Sequence, residues 1–181
     1  MSTMPGAPGS WPGFAREVIA RAAHGTPAAA PPPPADGRAH GGVFVTLHKF
    51  GRLRGCMGTL DSQAPLAEAI SHAAYCAATQ DPRFQPVAPG ELSDLEIEVS
   101  ILSDPLPMGG IENLHLGQHG VLVRRGAQRG LFLPQVAVEH HLDKETFLSR
   151  CCAEKAGMPA DAWRDPSTEV LLFTTDVYRE V

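Results

Sequence analysis

Along residues 92–102, LSDLEIEVSIL, the apolar positions Leu95, Ile97, Val99 and Ile101 alternate with Asp94, Glu96, Glu98 and Ser100. That period of two predicts a strand with one covered face. Residues 65–80, PLAEAISHAAYCAATQ, repeat apolar groups instead at Leu66, Ala69, Ile70, Ala73, Ala74 and Ala77 behind a proline suited to a helix start, and predict a largely buried helix. Ser10 is placed to cap an earlier helix carrying Phe14, Val18, Ile19 and Ala22, and Gly25 is placed to stop it. Residues 41–60, GGVFVTLHKFGRLRGCMGTL, predict two strands about a tight turn at Phe50 and Gly51, and HGVLVRRGAQRGLFLPQ predicts a second hairpin about Gly126 and Gly130. Residues 136–157 predict one helical segment with Asp143 as cap and Gly157 as stop, and EVLLFTTDVYREV predicts a single closing strand. Short links between these elements favour antiparallel pairing, so the expectation is an α+β fold, mainly an antiparallel sheet flanked by helices.

Between the first helix and the first hairpin runs TPAAAPPPPADGRAHGG, with four consecutive prolines and no apolar periodicity. It predicts a proline-rich surface loop near residues 26–41. Residues 1–9 predict a flexible tail, leaving residues 10–181 as a single domain. The 181 residues carry 43% hydrophobic and 19% charged side chains, an ordinary balance for one well-cored domain. A formal charge of -5 with scattered basic residues argues against bulk nucleic-acid binding. The N-terminal stretch lacks a basic region, Arg16 and Glu17 interrupt its apolar run, and no window approaches the roughly 18 to 20 apolar residues of a membrane helix. With Cys56, Cys76 and the adjacent Cys151 and Cys152, these features predict reduced thiols in a cytoplasmic protein that does not meet a membrane.

The segment LRGCMG carries the candidate chemistry. Gly55 and Gly58 interrupt an otherwise good strand, which predicts a bulge or the close approach of a ligand or another backbone. Alternation puts Arg54, Cys56 and Gly58 on one face. A guanidinium two residues from a thiol can favour the nucleophilic thiolate, or hold a carboxylate or phosphate by two parallel bonds. The plainer alternative makes Cys56 a small buried hydrophobe, pairs Arg54 with Glu96 or Glu98, and assigns the glycines to a bulge.

The runs GVFVTL, LRGCMGTL, DPRF, LEIEVSIL, HGVLV, GLFLPQVA and KAGMP, in this order, resemble the AMMECR-type domain, called system protein A of the AmmeMemoRadiSam set. The resemblance covers most of the chain. It implies an α+β fold with a sheet-containing body, a smaller subdomain and a cleft, the RGC motif as hallmark, and no established reaction. By that pattern Arg54, Gly55, Cys56 and Gly58 form the signature, joined by Arg83 and Phe84 of DPRF and Gln135 of LPQ. It also implies a Memo-type protein and a radical S-adenosylmethionine protein as partners in a modification pathway. Met57 stands where the family usually has isoleucine, and HHLD lacks the tryptophan often found nearby.

Other candidates are weaker. His72 and Cys76 lie four apart on a helix face without a second ligand pair, and the adjacent His140 and His141 point apart, so no metal is expected. Glu96 and Glu98 share a face that is ordinarily the wet side of such a strand. His119 precedes a strand and can face a cleft. Neither a Walker loop, a dinucleotide fingerprint nor a nucleophile elbow is present, so no cofactor is expected. Two functions remain open. In one, the cleft beside Arg54 and Cys56 binds a small anion or a partner, with Gly55, Gly58, Arg83, Phe84, Glu98, His119 and Gln135 around it. In the other, Cys56 is a nucleophile, Arg54 its clamp, and Glu98 or His119 the proton carrier.

Overall fold

The computed structural model describes residues 10–26 and 33–180. The tail at 1–9 and part of the proline-rich stretch lie outside the described residues. In chain order the elements are α1 (Trp11–His24), β1 (Gly42–Lys49), β2 (Arg52–Thr59), α2 (Leu66–Thr79), β3 (Leu95–Leu102), β4 (Leu106–Pro107), β5 (Gly120–Arg125), β6 (Gln128–Phe132), α3 (Pro134–Glu139), α4 (Lys144–Arg150), β7 (Glu169–Phe173) and β8 (Thr175–Arg179). Two antiparallel sheets flanked by helices make an α+β fold. The chain divides into two compact units, one running up to Leu102 and resuming at Asp176, the other spanning Ser103–Thr175.

The first unit is a four-stranded sheet in the order β2-β1-β3-β8. Val43, Val45 and Leu47 of β1 and Leu95, Ile97, Val99 and Ile101 of β3 pack with Trp11, Phe14 and Ile19 of α1 and Ile70, Ala73, Ala74 and Ala77 of α2. Helix α1 forms where its termini are satisfied. Ser10 Oγ accepts from Gly13 N at 3.2 Å, and Gly25, with φ of 65°, closes it by donating to the Ala22 carbonyl. Arg16 then ties this helix to the sheet, donating to Glu180 at 2.5 and 2.6 Å, to Leu92 O at 2.7 Å and to Leu95 O at 2.5 Å. Arg38, in the proline-rich stretch, bonds Asp36, Asp176 and the Tyr178 hydroxyl.

The β1–β2 turn has Phe50 at φ 51° and Gly51 at φ 73° between the paired Lys49 and Arg52. Both central residues are left-handed, the geometry of a two-residue hairpin that suits an asparagine or aspartate followed by glycine. For phenylalanine the left-handed backbone costs roughly 1–2 kcal/mol. The strands slip register between Leu47 and His48, so that Arg54 is the unpaired residue of a bulge between Leu53 and Gly55.

In the second unit the sheet order is β4-β7-β5-β6. Its core gathers Leu114, Val121, Val123, Phe132, Phe147, Leu148, Cys151 and Cys152, with the Phe132 and Phe147 rings stacked at 5.6 Å. A wide turn, Cys151–Lys155, follows α4, with Ala156 N donating to Cys151 O at 3.2 Å. Burial pushes the Cys151 thiol up to about 12.

Three expectations are corrected. The helical segment at 136–157 is two helices, because His141 turns left-handed at φ 51° and Asp143 starts α4 anew by accepting from Thr146 N at 2.7 Å. The closing strand is two, divided at Thr174, whose carbonyl and amide bond Ser103 at 2.9 and 3.0 Å, so β7 and β8 enter different sheets. The polar face of β3 is not wet: Glu98 is 8% and Ser100 1% exposed, and only Glu96 on that face stays in solvent.

Gly55 faces α2, where an added Cβ would run into the Ala77 carbonyl oxygen with the Leu47 side chain beside it. Backbone on an already packed helix cannot yield cheaply, and overpacking of this kind costs roughly 1–3 kcal/mol. Gly55→Ala is expected to lower the melting temperature by several degrees in thermal unfolding, and an unchanged melt would show that α2 does not pack this closely.

Candidate functional site

Strand β2 is an edge strand, and its outward backbone groups require partners. The DPRF segment supplies them. Asp81 Oδ2 accepts from Cys56 N at 2.9 Å, and Arg83 reaches the Cys56 carbonyl at 3.5 Å. Asp81 Oδ1 also accepts from the Arg83 amide at 3.1 Å, and the guanidinium bonds both carboxylate oxygens at 2.9 and 2.7 Å. Asp81 is 4% exposed. The Arg83 guanidinium, with help from the Cys56 and Arg83 amides and against burial, holds its carboxyl well below the usual carboxylate range.

Gly55 and Met57 face the helices of this unit, whereas Cys56 and Gly58 face the other side of the sheet. The bulge takes Arg54 out of the expected alternation and turns it to Glu91, which Lys49 also bonds from the helix-facing side. Arg54 donates from Nε and Nη2 to Glu91 at 3.1 and 2.9 Å, and Lys49 donates to the same carboxylate at 3.0 Å. Glu91 in turn accepts from Ala88 N at 3.1 Å. Led by the Arg54 bonds, these contacts bring the Glu91 carboxyl down to about 2. The Phe84 ring lies under both guanidinium groups, 5.8 Å from Arg54 Cζ and 5.5 Å from Arg83 Cζ. RGC and DPRF are thereby one assembly, and the fork of Arg54 is engaged by a carboxylate from the helical turn ahead of β3.

Cys56 sits at the end of a polar row. Thr46 of β1 is its cross-strand partner, with Oγ1 and Sγ 3.3 Å apart, and Thr46 is opposite Glu98 of β3. Glu98 accepts from Arg179 Nε at 2.6 Å. Burial pushes the Cys56 thiol up, offset in part by the Thr46 hydrogen bond and the Arg83 charge and reinforced by Asp81 and Glu98. The cation that favours thiolate here is Arg83. At the Arg179 end of the row a depression of about 300 Å³ is lined by His48, Gly51, Glu96, Glu98 and Arg179.

The first unit thus unites Arg54, Gly55, Cys56, Gly58, Arg83, Phe84 and Glu98. His119 and Gln135 belong to the second. His119 Nδ1 accepts from His115 N at 3.1 Å, and burial lowers its pKa with the neighbouring His115 charge. With Asn113, Met108 and Phe173 it lines a depression of about 380 Å³. Gln135 is on α3 with a buried Oε1 that has no hydrogen-bond partner among the described residues. On α2, Cys76 Sγ is 3.6 Å from His72 Nε2 and 3.5 Å from Gln80 Oε1. Among the described residues no group of three or more His, Cys, Asp or Glu side chains converges as metal ligands. No helix among them is long and apolar enough to cross a membrane. Sequence reasoning missed Thr46, Asp81, Glu91 and Arg179. Only Asp81 had a local signal, since an aspartate ahead of proline commonly bonds a backbone amide near it.

Asp81→Asn keeps the shape and removes the charge that holds Arg83 and Cys56 N. It is expected to cost roughly 1–3 kcal/mol at neutral pH. Because the folded-state pKa of Asp81 is depressed, its contribution is complete above the ordinary carboxylate pKa and is lost as pH falls below it. Urea unfolding at stepped pH should show a shallower acid loss in the variant, and parallel profiles would contradict the buried ion pair.

The AMMECR1 family model matches residues 13–178. A protein of Methanothermobacter thermautotrophicus is 47% identical over 146 residues, covering 77% of this chain and 75% of the archaeal one. A protein of Methanopyrus kandleri is 46% identical over 148 residues, with 77% and 71% covered. Among solved structures, an uncharacterized protein of Pyrococcus horikoshii superposes with a TM-score of 0.80 at 36% identity, covering 94% of this chain and 91% of that one. On that family match and those identities, the chain belongs to the AMMECR1 family.

Proposed function

We propose that this chain is a binding component, whose outer sheet face at Cys56 receives a small anionic group or a partner's side chain in the cytoplasm. The observation that carries this reading is the state of the thiol. Cys56 is driven toward its protonated form by burial and shares its hydrogen bond with a threonine hydroxyl, a poor general base, rather than with an imidazole. Anion recognition in this reading falls to Arg83. Its side chain is 54% exposed although bonded to Asp81, while that of Arg54 is 15% exposed and held by Glu91. Arg54 acts as a positioning residue through Glu91 and Phe84. The family resemblance adds the finer proposal that the chain serves a Memo-type protein and a radical S-adenosylmethionine protein in a modification pathway.

The competing reading makes Cys56 the nucleophile. The two part on thiol chemistry: iodoacetamide should alkylate Cys56 at pH 7 at least about tenfold more slowly than free cysteine, because the thiolate is the reactive form. Native mass spectrometry of protein purified from its source should find a bound species that Cys56→Ser retains and Arg83→Lys loses, with melting temperatures close to wild type. Fast stoichiometric alkylation, with loss of the species in Cys56→Ser alone, would establish the nucleophile reading instead.

A further inference from the structure

The tip of the β1–β2 hairpin joins three features, and its local contact to the aromatic ring, Lys49 Nζ at 5.8 Å from the Phe50 centroid, still leaves that ring in solvent. Phe50 occupies a left-handed position at φ 51°, where asparagine or glycine is the easy choice, and it is 76% exposed. Leu53, three residues on, is 41% exposed. A bulky aromatic there neither eases the turn nor fills the core. Strained, exposed side chains of this kind persist where an outside contact uses them. The base of the tip is also fixed: Lys49 bonds Glu91 at 3.0 Å and Arg54 bonds it at 2.9 Å, so Phe50 and Leu53 are held outward by ion pairs on both strands. Preorganisation of this sort removes part of the ordering cost of association.

Resting on the reading of the chain as a binding component, we propose that the hairpin tip is a docking knob for a folded protein partner that presents an apolar socket rimmed by carboxylates. The socket takes Phe50 and Leu53. The rim meets Arg52, which is exposed and has no ion pair among the described residues. The depression beside the knob, lined by His48, Gly51 and Glu96, offers the opposite charge at the edge of the same contact. An anionic bilayer fits less well: Glu91, Asp94 and Glu96 stand at the base of the tip, Lys49 is already paired with the first two, and the chain carries a net charge of -5.

The test places p-benzoylphenylalanine at position 53 of the full chain in cells of its source, with the same group at exposed Val138 as control. Irradiation should give one adduct, absent from the control, with the crosslinked partner peptide lying in an apolar patch beside Asp or Glu. Phe50→Asn relieves the left-handed strain while removing the knob. It should lower adduct yield at least tenfold with the melting temperature unchanged or raised, a split that a merely structural role for Phe50 would not produce. Arg52→Glu should lower the yield similarly, and a Lys in place of a rim carboxylate on the partner should restore it. The proposal is overturned by no adduct, a lipid adduct, an adduct of twice the chain mass, equal yield from position 138, or a yield indifferent to Phe50→Asn. These outcomes are separate from the Arg83→Lys and Cys56→Ser measurements, which report on the thiol face alone.

Discussion

The bond from the Cys56 amide to the buried carboxylate of Asp81 is the constraint on which the thiol face depends. An edge strand ordinarily leaves a row of open donors and acceptors. Here one carboxylate satisfies the central donor, orders its own loop and collects a guanidinium, so a single buried charge does three structural tasks. Its cost of burial is met because each contact is charge-assisted and Arg83 stays partly in water. The second carboxylate, Glu91, repeats the device one strand-end away with Arg54 and Lys49. Between these two anchors β2 is immobilised at a bulge and at a glycine that touches α2.

This arrangement explains why the RGC residues lie so close together without all serving the same end. Gly55 lets helix and strand approach, Arg54 braces the hairpin, and Cys56 offers a thiol beside Thr46 on the opposite face. The electrostatics differ accordingly. Each arginine stabilises a carboxylate strongly, whereas the thiol sits in a mixed field of Arg83, Asp81 and Glu98 in which burial dominates. An unaided thiol in such a setting is a packing and contact group.

The regular elements were legible because their signals are local. The alternation of β3, the apolar stripe of α2 and the turn glycines Gly51 and Gly126 each need only a window of a few residues, whereas Gly130, expected at the second turn, lies within β6 opposite Val123. The placing of Cys56 and Gly58 on one face followed from the same period, which the bulge breaks at Arg54. What stayed hidden depends on contacts far apart in sequence. Glu91 lies 37 residues from Arg54, and Arg179 lies 81 from Glu98. The burial of Glu98 reversed the wet-face expectation because that arginine satisfies it, and the break at Thr174 was concealed because no glycine or proline marks it between the two apolar stretches. The resemblance to a family supplied Phe84 and Gln135, which periodicity alone does not single out.

The division at Thr174 has a consequence for the order in which the protein can be built. Residues 103–175 form one continuous stretch, so the second unit has all of its strands as soon as β7 leaves the ribosome. The first unit begins earlier yet waits longer. Its fourth strand and Glu180, the anchor of Arg16, come after β7 in the chain. During synthesis the Cys56 face therefore exists on a three-stranded sheet whose outer neighbour is missing, with Glu98 not yet joined by Arg179. Until β8 is added, the outer edge of β3 is an open strand edge of the kind at which chains mispair.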